Sequence, residues 1–234
     1  MPYVIDTVSY RKDAHLPVGV GWAMRPGNVT PTTIVIHTTS AATPNTAFDA
    51  EARFLYNSRD VSAHFLNGKV GQIVQFLNPD LEAWHAGVAL TSYANMHSIG
   101  IENHVSLGEN WTLTQHDSLT WLVKQLMTHY HIASSQIETH RAIALPGPNI
   151  RKHDPTAWDD ASFYAWRASL DAAPVIRTVV AGPFGAIAQQ DRRPDALAAR
   201  YYPPGTLIAV DDLTSNYCHT ADQSGFIPVG HVIA

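Results

Sequence analysis

Thr32-Thr33-Ile34-Val35-Ile36-His37 is the stretch from which the rest of the chain is read. Five β-branched residues in succession have the pattern of a buried strand, and a histidine ends it. A side chain in that place is held rigidly at a sheet edge, where sites are commonly built. Before this stretch, residues 1–31 are irregular and punctuated by Pro and Gly. After it, Thr43-Pro44 reads as a helix N-cap with proline at the first helical position, and Phe48, Ala52, Leu55 and Tyr56 follow at helical spacing. Ser62 to Leu66 and Lys69 to Phe76 flank Asn67-Gly68, a hairpin signal. Ser98 to Val105 is a further strand. Thr114 with Asp117 resembles a capping box, behind which Leu119, Leu122, Val123, Leu126, Met127 and Tyr130 predict an amphipathic helix. Ile137 to His140 is a short strand, and Asp159 to Leu170 a closing helix anchored by Phe163 and Trp166.

Near Ala172-Ala173-Pro174 the helical pattern stops. Short β-like runs follow at Val175 to Val180, Thr206 to Val210 and Gly225 to Val229, separated by Gly-Pro, Pro-Pro-Gly and Asp-Asp turns. A boundary there predicts a domain over 1–173 and a small β domain over 174–234. A chain of 234 residues is long enough for both.

The net charge of -5 gives no electrostatic reason to expect nucleic acid or an anionic membrane as partner. No apolar run approaches the ~20 residues that span a bilayer. The single cysteine, Cys218, excludes an intramolecular disulfide and reads as a small buried hydrophobe. The N-terminus lacks the basic and apolar regions of a signal peptide, so synthesis in the cytoplasm is expected, and action outside the cell would need a separate route of release. Thirteen histidines against one thiol favour an imidazole and carboxylate metal site over a thiolate one.

Candidate donors are His37 and the segment from Thr139-His140-Arg141 through Pro146-Gly147-Pro148 to Arg151-Lys152-His153-Asp154-Pro155. Two imidazoles and one carboxylate form a known catalytic zinc set that leaves a fourth position for water. By spacing alone the trio is suggestive only. His97, His104, His116, His129 and His131 are assigned to the surface or to ordinary polar contacts.

Several motifs stand in one order along residues 30–170: Ile34-Val35-Ile36-His37; Ser62-Ala63-His64-Phe65 with Gly71-Gln72-Ile73-Val74-Gln75; Ala83-Trp84-His85-Ala86-Gly87; Ser98-Ile99-Gly100-Ile101-Glu102; Thr139-His140-Arg141; and Arg151-Lys152-His153-Asp154-Pro155. Together they resemble the zinc N-acetylmuramoyl-L-alanine amidases related to amidase-type phage lysozymes and peptidoglycan recognition proteins. The resemblance implies an α/β fold, a mixed central β-sheet flanked by helices. It implies zinc (Zn2+) bound by His37, His140 and Asp154, with Glu102 activating water and Lys152 stabilising the oxyanion. His153 competes with Asp154 as third ligand, because the loop after His140 is longer than usual for the family. Trp84 and His85 read as a groove wall on the substrate side, and His64 is grouped with them as a hydrogen-bond donor near the site. Ala63 stands where some members carry tyrosine; those members lack the strand carboxylate, and with Glu102 this chain resembles the carboxylate-using branch.

The expected partner is bacterial peptidoglycan or its muropeptides, and the expected state a monomer. Residues 175–234 weakly resemble bacterial SH3-like domains that target such enzymes to the wall. The leading expectation is a phage or prophage endolysin. A muropeptide-recycling amidase and a non-catalytic peptidoglycan-binding protein are the alternatives.

Overall fold

The computed structural model describes residues 3–171 apart from 28, 40–45, 88, 91–93 and 145–151, and, beyond these, 177–181, 186–189, 198–204, 207–213, 217–220, 226–228 and 232–233. The chain divides into two compact units, Tyr3–Asp171 and one within 172–234.

In the first unit the elements run β1 (Ile5–Asp6), β2 (Trp22–Met24), β3 (Thr33–Thr38), α1 (Phe48–Asn57), β4 (Phe65–Asn67), β5 (Ile73–Gln75), β6 (Leu81–Ala83), α2 (Ala94–His97), β7 (Ser98–Asn103), α3 (Leu113–Tyr130), β8 (Ile137–Thr139), α4 (His140–Ile143) and α5 (Asp160–Ser169). The central sheet has the order β1-β5-β4-β7-β3-β8. It is mostly parallel; the β4–β5 pair is antiparallel. A mixed sheet flanked by helices is thus what the first unit contains.

Side chains alternate across a strand, and this assigns its two faces. Ile34 and Ile36 of β3, Ile99 and Ile101 of β7 and Ile137 of β8 pack with Leu119, Leu122 and Val123 of α3 and Phe163 of α5. Each of these side chains, fully withdrawn from water, contributes about 1.5–3 kcal/mol. The opposite face carries Leu66 and Val74 against Ala52 and Leu55 of α1, with Leu16 and Trp22 closing the cluster. His37, Gly100 and Glu102 lie on that second face.

Buried polar groups fix the strand ends. Lys12 is fully buried, and its ammonium donates to the carbonyls of Leu55 (2.7 Å), Ser58 (2.6 Å) and Val61 (2.9 Å), tying off the end of α1. Asn103 Nδ2 donates to the carbonyl of His37 (2.9 Å), Asn67 Nδ2 to Asn103 Oδ1 (2.9 Å), and Ser118 Oγ to Asn67 Oδ1 (2.6 Å). This network clamps α3 onto the ends of β3, β4 and β7.

Three local expectations change. The Thr43-Pro44 cap lies outside the described residues; α1 starts at Phe48, and Ala47 occupies its N-cap position without a side-chain bond. Asn67 is no turn residue: it ends β4, is completely buried and spends its amide on the network, and the turn instead spans 68–72, closed by Gly68 N–H to Gln72 O (2.8 Å). The cap of α3 is Thr112, whose hydroxyl accepts from Gln115 N–H (3.1 Å), two residues before the expected Thr114. The strands β1, β2 and β6 and the helix α2 have two to four residues each, too few to show a period in the sequence.

The second unit is a seven-stranded antiparallel sheet: β9 (Arg177–Ala181), β10 (Ala186–Gln189), β11 (Ala198–Tyr202), β12 (Leu207–Leu213), β13 (Tyr217–Thr220), β14 (Phe226–Pro228) and β15 (Val232–Ile233). Their order is β11-β10-β14-β13-β12-β9-β15. Ala181, Tyr202 and Ile208 are buried in it. The Cys218 side chain lies outside what is described. No helix among the described residues is long and apolar enough to cross a membrane.

Candidate metal centre

Parallel pairing lines up the site. Ile36 of β3 is level with Thr139 of β8, so His37 and His140 follow at neighbouring strand ends. On the other side of β3, His37 is level with Glu102 of β7. His140 opens α4, which Thr139 caps by accepting from Ala142 N–H (3.2 Å). Asp154 arrives on the returning loop, where its carbonyl accepts from Arg141 N–H (3.0 Å). The Arg141 guanidinium gathers that loop further, donating to the carbonyls of Pro155 and Trp158 (2.6 Å each) and to Asp160 (2.7 Å).

Among the described residues, His37, His140 and Asp154 converge as potential metal ligands. His37 Nδ1 and His140 Nδ1 are 2.9 Å apart, and Asp154 Oδ2 is 3.1 Å from the first and 3.0 Å from the second. The remaining ring nitrogens are engaged elsewhere. His140 Nε2 donates to the carbonyl of Ala86 (3.2 Å), so Nδ1 is the nitrogen turned to Asp154, and His37 Nε2 meets His85 Nδ1 (2.9 Å). Burial, opposed by Asp154, lowers His37 to about 4, so its ring is neutral at neutral pH.

The His37 and His140 rings and the Asp154 carboxyl thus aim donor atoms at one point. A tetrahedral zinc ion with bonds of about 2.0–2.1 Å spaces its donors only a few tenths of an ångström wider than this. The donor set therefore fits zinc. His153, the rival for the third position, is exposed and turned into a neighbouring open cleft of about 650 Å³ lined also by Arg141, Thr156, Trp158 and Asp160.

Glu102 has one carboxylate oxygen, Oε2, sealed from solvent without a hydrogen-bond partner among the described residues. Burial, then the charges of Asp154 and Glu51, push its carboxyl well above the usual range, and Lys152 opposes them. Lys152 is exposed, and its charge acts on both Glu102 and His37.

Three residues read as substrate-facing sit differently from one another. Trp84 is half-buried, and its backbone pairs with Ser62 in both directions. His85 is buried behind His37. His64 is completely buried: its Nδ1 accepts from Gly100 N–H (3.0 Å) and its Nε2 donates to Leu81 O (3.0 Å). Burial, then the nearby Arg25, lower it to about 3. Among the described residues both His64 and His85 are buried. The alternation of Ser98-Ile99-Gly100-Ile101-Glu102 places Ser98 and Gly100 on the face of Glu102.

Residues 27–157 match the sequence profile of the N-acetylmuramoyl-L-alanine amidase family. The chain is 38% identical over 111 residues to the 1,6-anhydro-N-acetylmuramyl-L-alanine amidase AmpD of Citrobacter freundii, a match covering 45% of this chain and 56% of that protein. It is 32% identical over 157 residues to AmpD of Escherichia coli (strain K12), covering 59% of this chain and 84% of the relative. The match to the Citrobacter freundii protein therefore spans little more than half of its length. Among solved structures, a mutant endolysin from Bacillus subtilis superposes with a TM-score of 0.54 at 25% identity, covering 72% of this chain and 99% of that one.

Proposed function

Because the chain belongs to the N-acetylmuramoyl-L-alanine amidase family, we propose that it is a zinc hydrolase cutting the amide between N-acetylmuramic acid and L-alanine in peptidoglycan. The observation that carries this reading is the cluster of His37 Nδ1, His140 Nδ1 and Asp154 Oδ2, with Glu102 one strand away. Zinc, when bound by these three, supplies a Lewis acid that polarises a carbonyl and eases deprotonation of water. Glu102 takes a proton from the attacking water and delivers it to the alanine nitrogen as the C–N bond breaks. Its Oε2, sealed from solvent, keeps that proton from bulk water between the two events. The Lys152 ammonium stabilises the negative charge developing on the lactyl oxygen. The products are a lactyl carboxylate and a peptide with a free amino terminus.

The substrate pool follows from two different observations. The additional antiparallel β unit suits a wall-lytic enzyme of the endolysin kind, with an SH3-like module that holds polymeric peptidoglycan. The AmpD relatives, named for a 1,6-anhydro-muramyl substrate, favour a recycling enzyme acting on soluble fragments. Zinc-loaded protein is to be given purified sacculi and soluble anhydro-muropeptides in parallel. Loss of turbidity with new amino termini identifies the first role, and cleavage confined to the soluble fragments the second. Release of no amino termini from either substrate overturns the amidase reading.

A further inference from the structure

Behind His37 runs a hydrogen-bonded chain whose proton positions are fixed by its far end. Ser98 Oγ is in close contact with the carbonyl of Ala94, an acceptor only, so the Ser98 hydroxyl proton lies there. Ser98 Oγ is also 3.1 Å from His85 Nε2 and, with its proton already committed, accepts from that nitrogen. His85 therefore carries its proton on Nε2 and offers a lone pair at Nδ1. That lone pair, 2.9 Å from His37 Nε2, receives the His37 proton. His37 is left with a bare Nδ1, the atom aimed at His140 and Asp154. The Arg25 side chain is tied to backbone carbonyls, including Pro79 (3.0 Å) and Ser98 (2.8 Å).

The fold makes room for this chain at one residue. A Cβ on Gly100 would stand 2.4 Å from His85 Cγ, so only glycine at this place on β7 admits the ring. Ser98, Gly100 and Glu102 alternate on one face of a single strand. That strand thus supplies the anchor of the chain, the space for its middle member and the carboxylate beside its end.

We propose that His85 and Ser98 are positioning residues that act through His37, the Ala94–Ser98–His85 chain setting the tautomer and ring angle with which His37 meets the metal. The proposal rests on the zinc reading of the site but assigns His85 a place behind the metal instead of against the substrate. Partners behind a ligating histidine typically change metal affinity by 10–100-fold.

Zinc affinity is to be measured by chelator competition in the wild type, His85→Ala, Ser98→Ala, His85→Asn and the double variant His85→Ala/Gly100→Ala, whose second methyl refills the space vacated by the ring. Melting of the metal-free proteins controls for folding. The wild type is expected to bind one zinc ion, and His85→Ala, Ser98→Ala and the double variant to bind about 10–100-fold more weakly. His85→Asn, which keeps an acceptor for His37 Nε2–H, should stay within about threefold of the wild type, well inside the range of a lost outer partner. In proton NMR of the zinc-loaded wild type, the His37 Nε2–H should exchange slowly, and that protection should vanish in the double variant. Wild-type affinity in a folded His85→Ala or double variant overturns the proposal, as does an Asn variant as weak as the Ala variant. A wild type that takes up no zinc overturns the metal reading as well, a result distinguishable from the other two.

Discussion

His37 and Glu102 are cross-strand partners, level with each other on neighbouring parallel strands. Their side chains leave the same face, so sheet geometry, and not a loop, sets the spacing between metal ligand and carboxylate. Glu102→Gln preserves the shape and removes the base. Zinc affinity is expected to hold, while kcat falls by about 10²–10⁴-fold. Titration of the metal and an assay of freed amino termini check the two halves, and wild-type turnover would remove Glu102 from proton transfer.

Asp154 and His153 are adjacent in sequence but face different surroundings. Asp154 Oδ2 touches both imidazoles, whereas His153 is exposed along the neighbouring cleft. Asp154→Ala is expected to weaken zinc binding by more than about 100-fold, beyond the range of a lost outer partner. His153→Ala should leave it unchanged. Calorimetry on both variants decides the third ligand, and the reverse pattern would hand that position to His153.

His64 makes acid stability measurable. Its folded pKa of about 3 lies below the ordinary 6.5, because burial disfavours the charged ring. The unfolded chain therefore takes up a proton first, and the contribution of His64 is complete above pH 6.5 and is lost as pH falls toward 3. At most, the slope attributable to this group is about 1.4 kcal/mol per pH unit. Urea unfolding of the metal-free wild type and His64→Gln across this range should show a shallower decline in the variant. Parallel declines would contradict the role given to the ring.

Lys12 holds three carbonyls that no other described group caps through a side chain. Lys12→Met keeps much of the stem and strands the acceptors of Leu55, Ser58 and Val61. A loss of about 3 kcal/mol or more is expected, since each of the three orphaned acceptors costs at least about 1 kcal/mol. Denaturant titration measures it, and a variant of wild-type stability would show that water replaces the ammonium at no cost.

The legible part of the fold was the part with a long period or a fixed motif. The run ending at His37 and the stripe from Leu119 to Leu126 became β3 and the core face of α3, because burial of one face enforces the pattern. Asn67-Gly68 misled because a tertiary demand, the network through Asn103 and Ser118, took Asn67 away from the turn. Thr114 lost the cap to Thr112 because helix starts shift easily by a residue or two. At the site, residue types and order suggested the donors, but the partner of a ring nitrogen is a matter of distance. Nothing in Trp84-His85-Ala86 says which way a ring turns. The size limit that Gly100 meets is likewise invisible until His85 lies across it.

The separation of the two outermost donors has a consequence for how the protein matures. His37 and Asp154 stand 117 residues apart in the chain, and β3 finds its parallel neighbours only across long intervening segments. During vectorial synthesis on the ribosome His37 emerges long before any other donor of the set, and a lone imidazole holds a metal ion poorly. Closing such long loops is a late and slow event. On the zinc reading, ion capture would wait until residues 37–154 have folded together, and metal content would report that this stretch has closed.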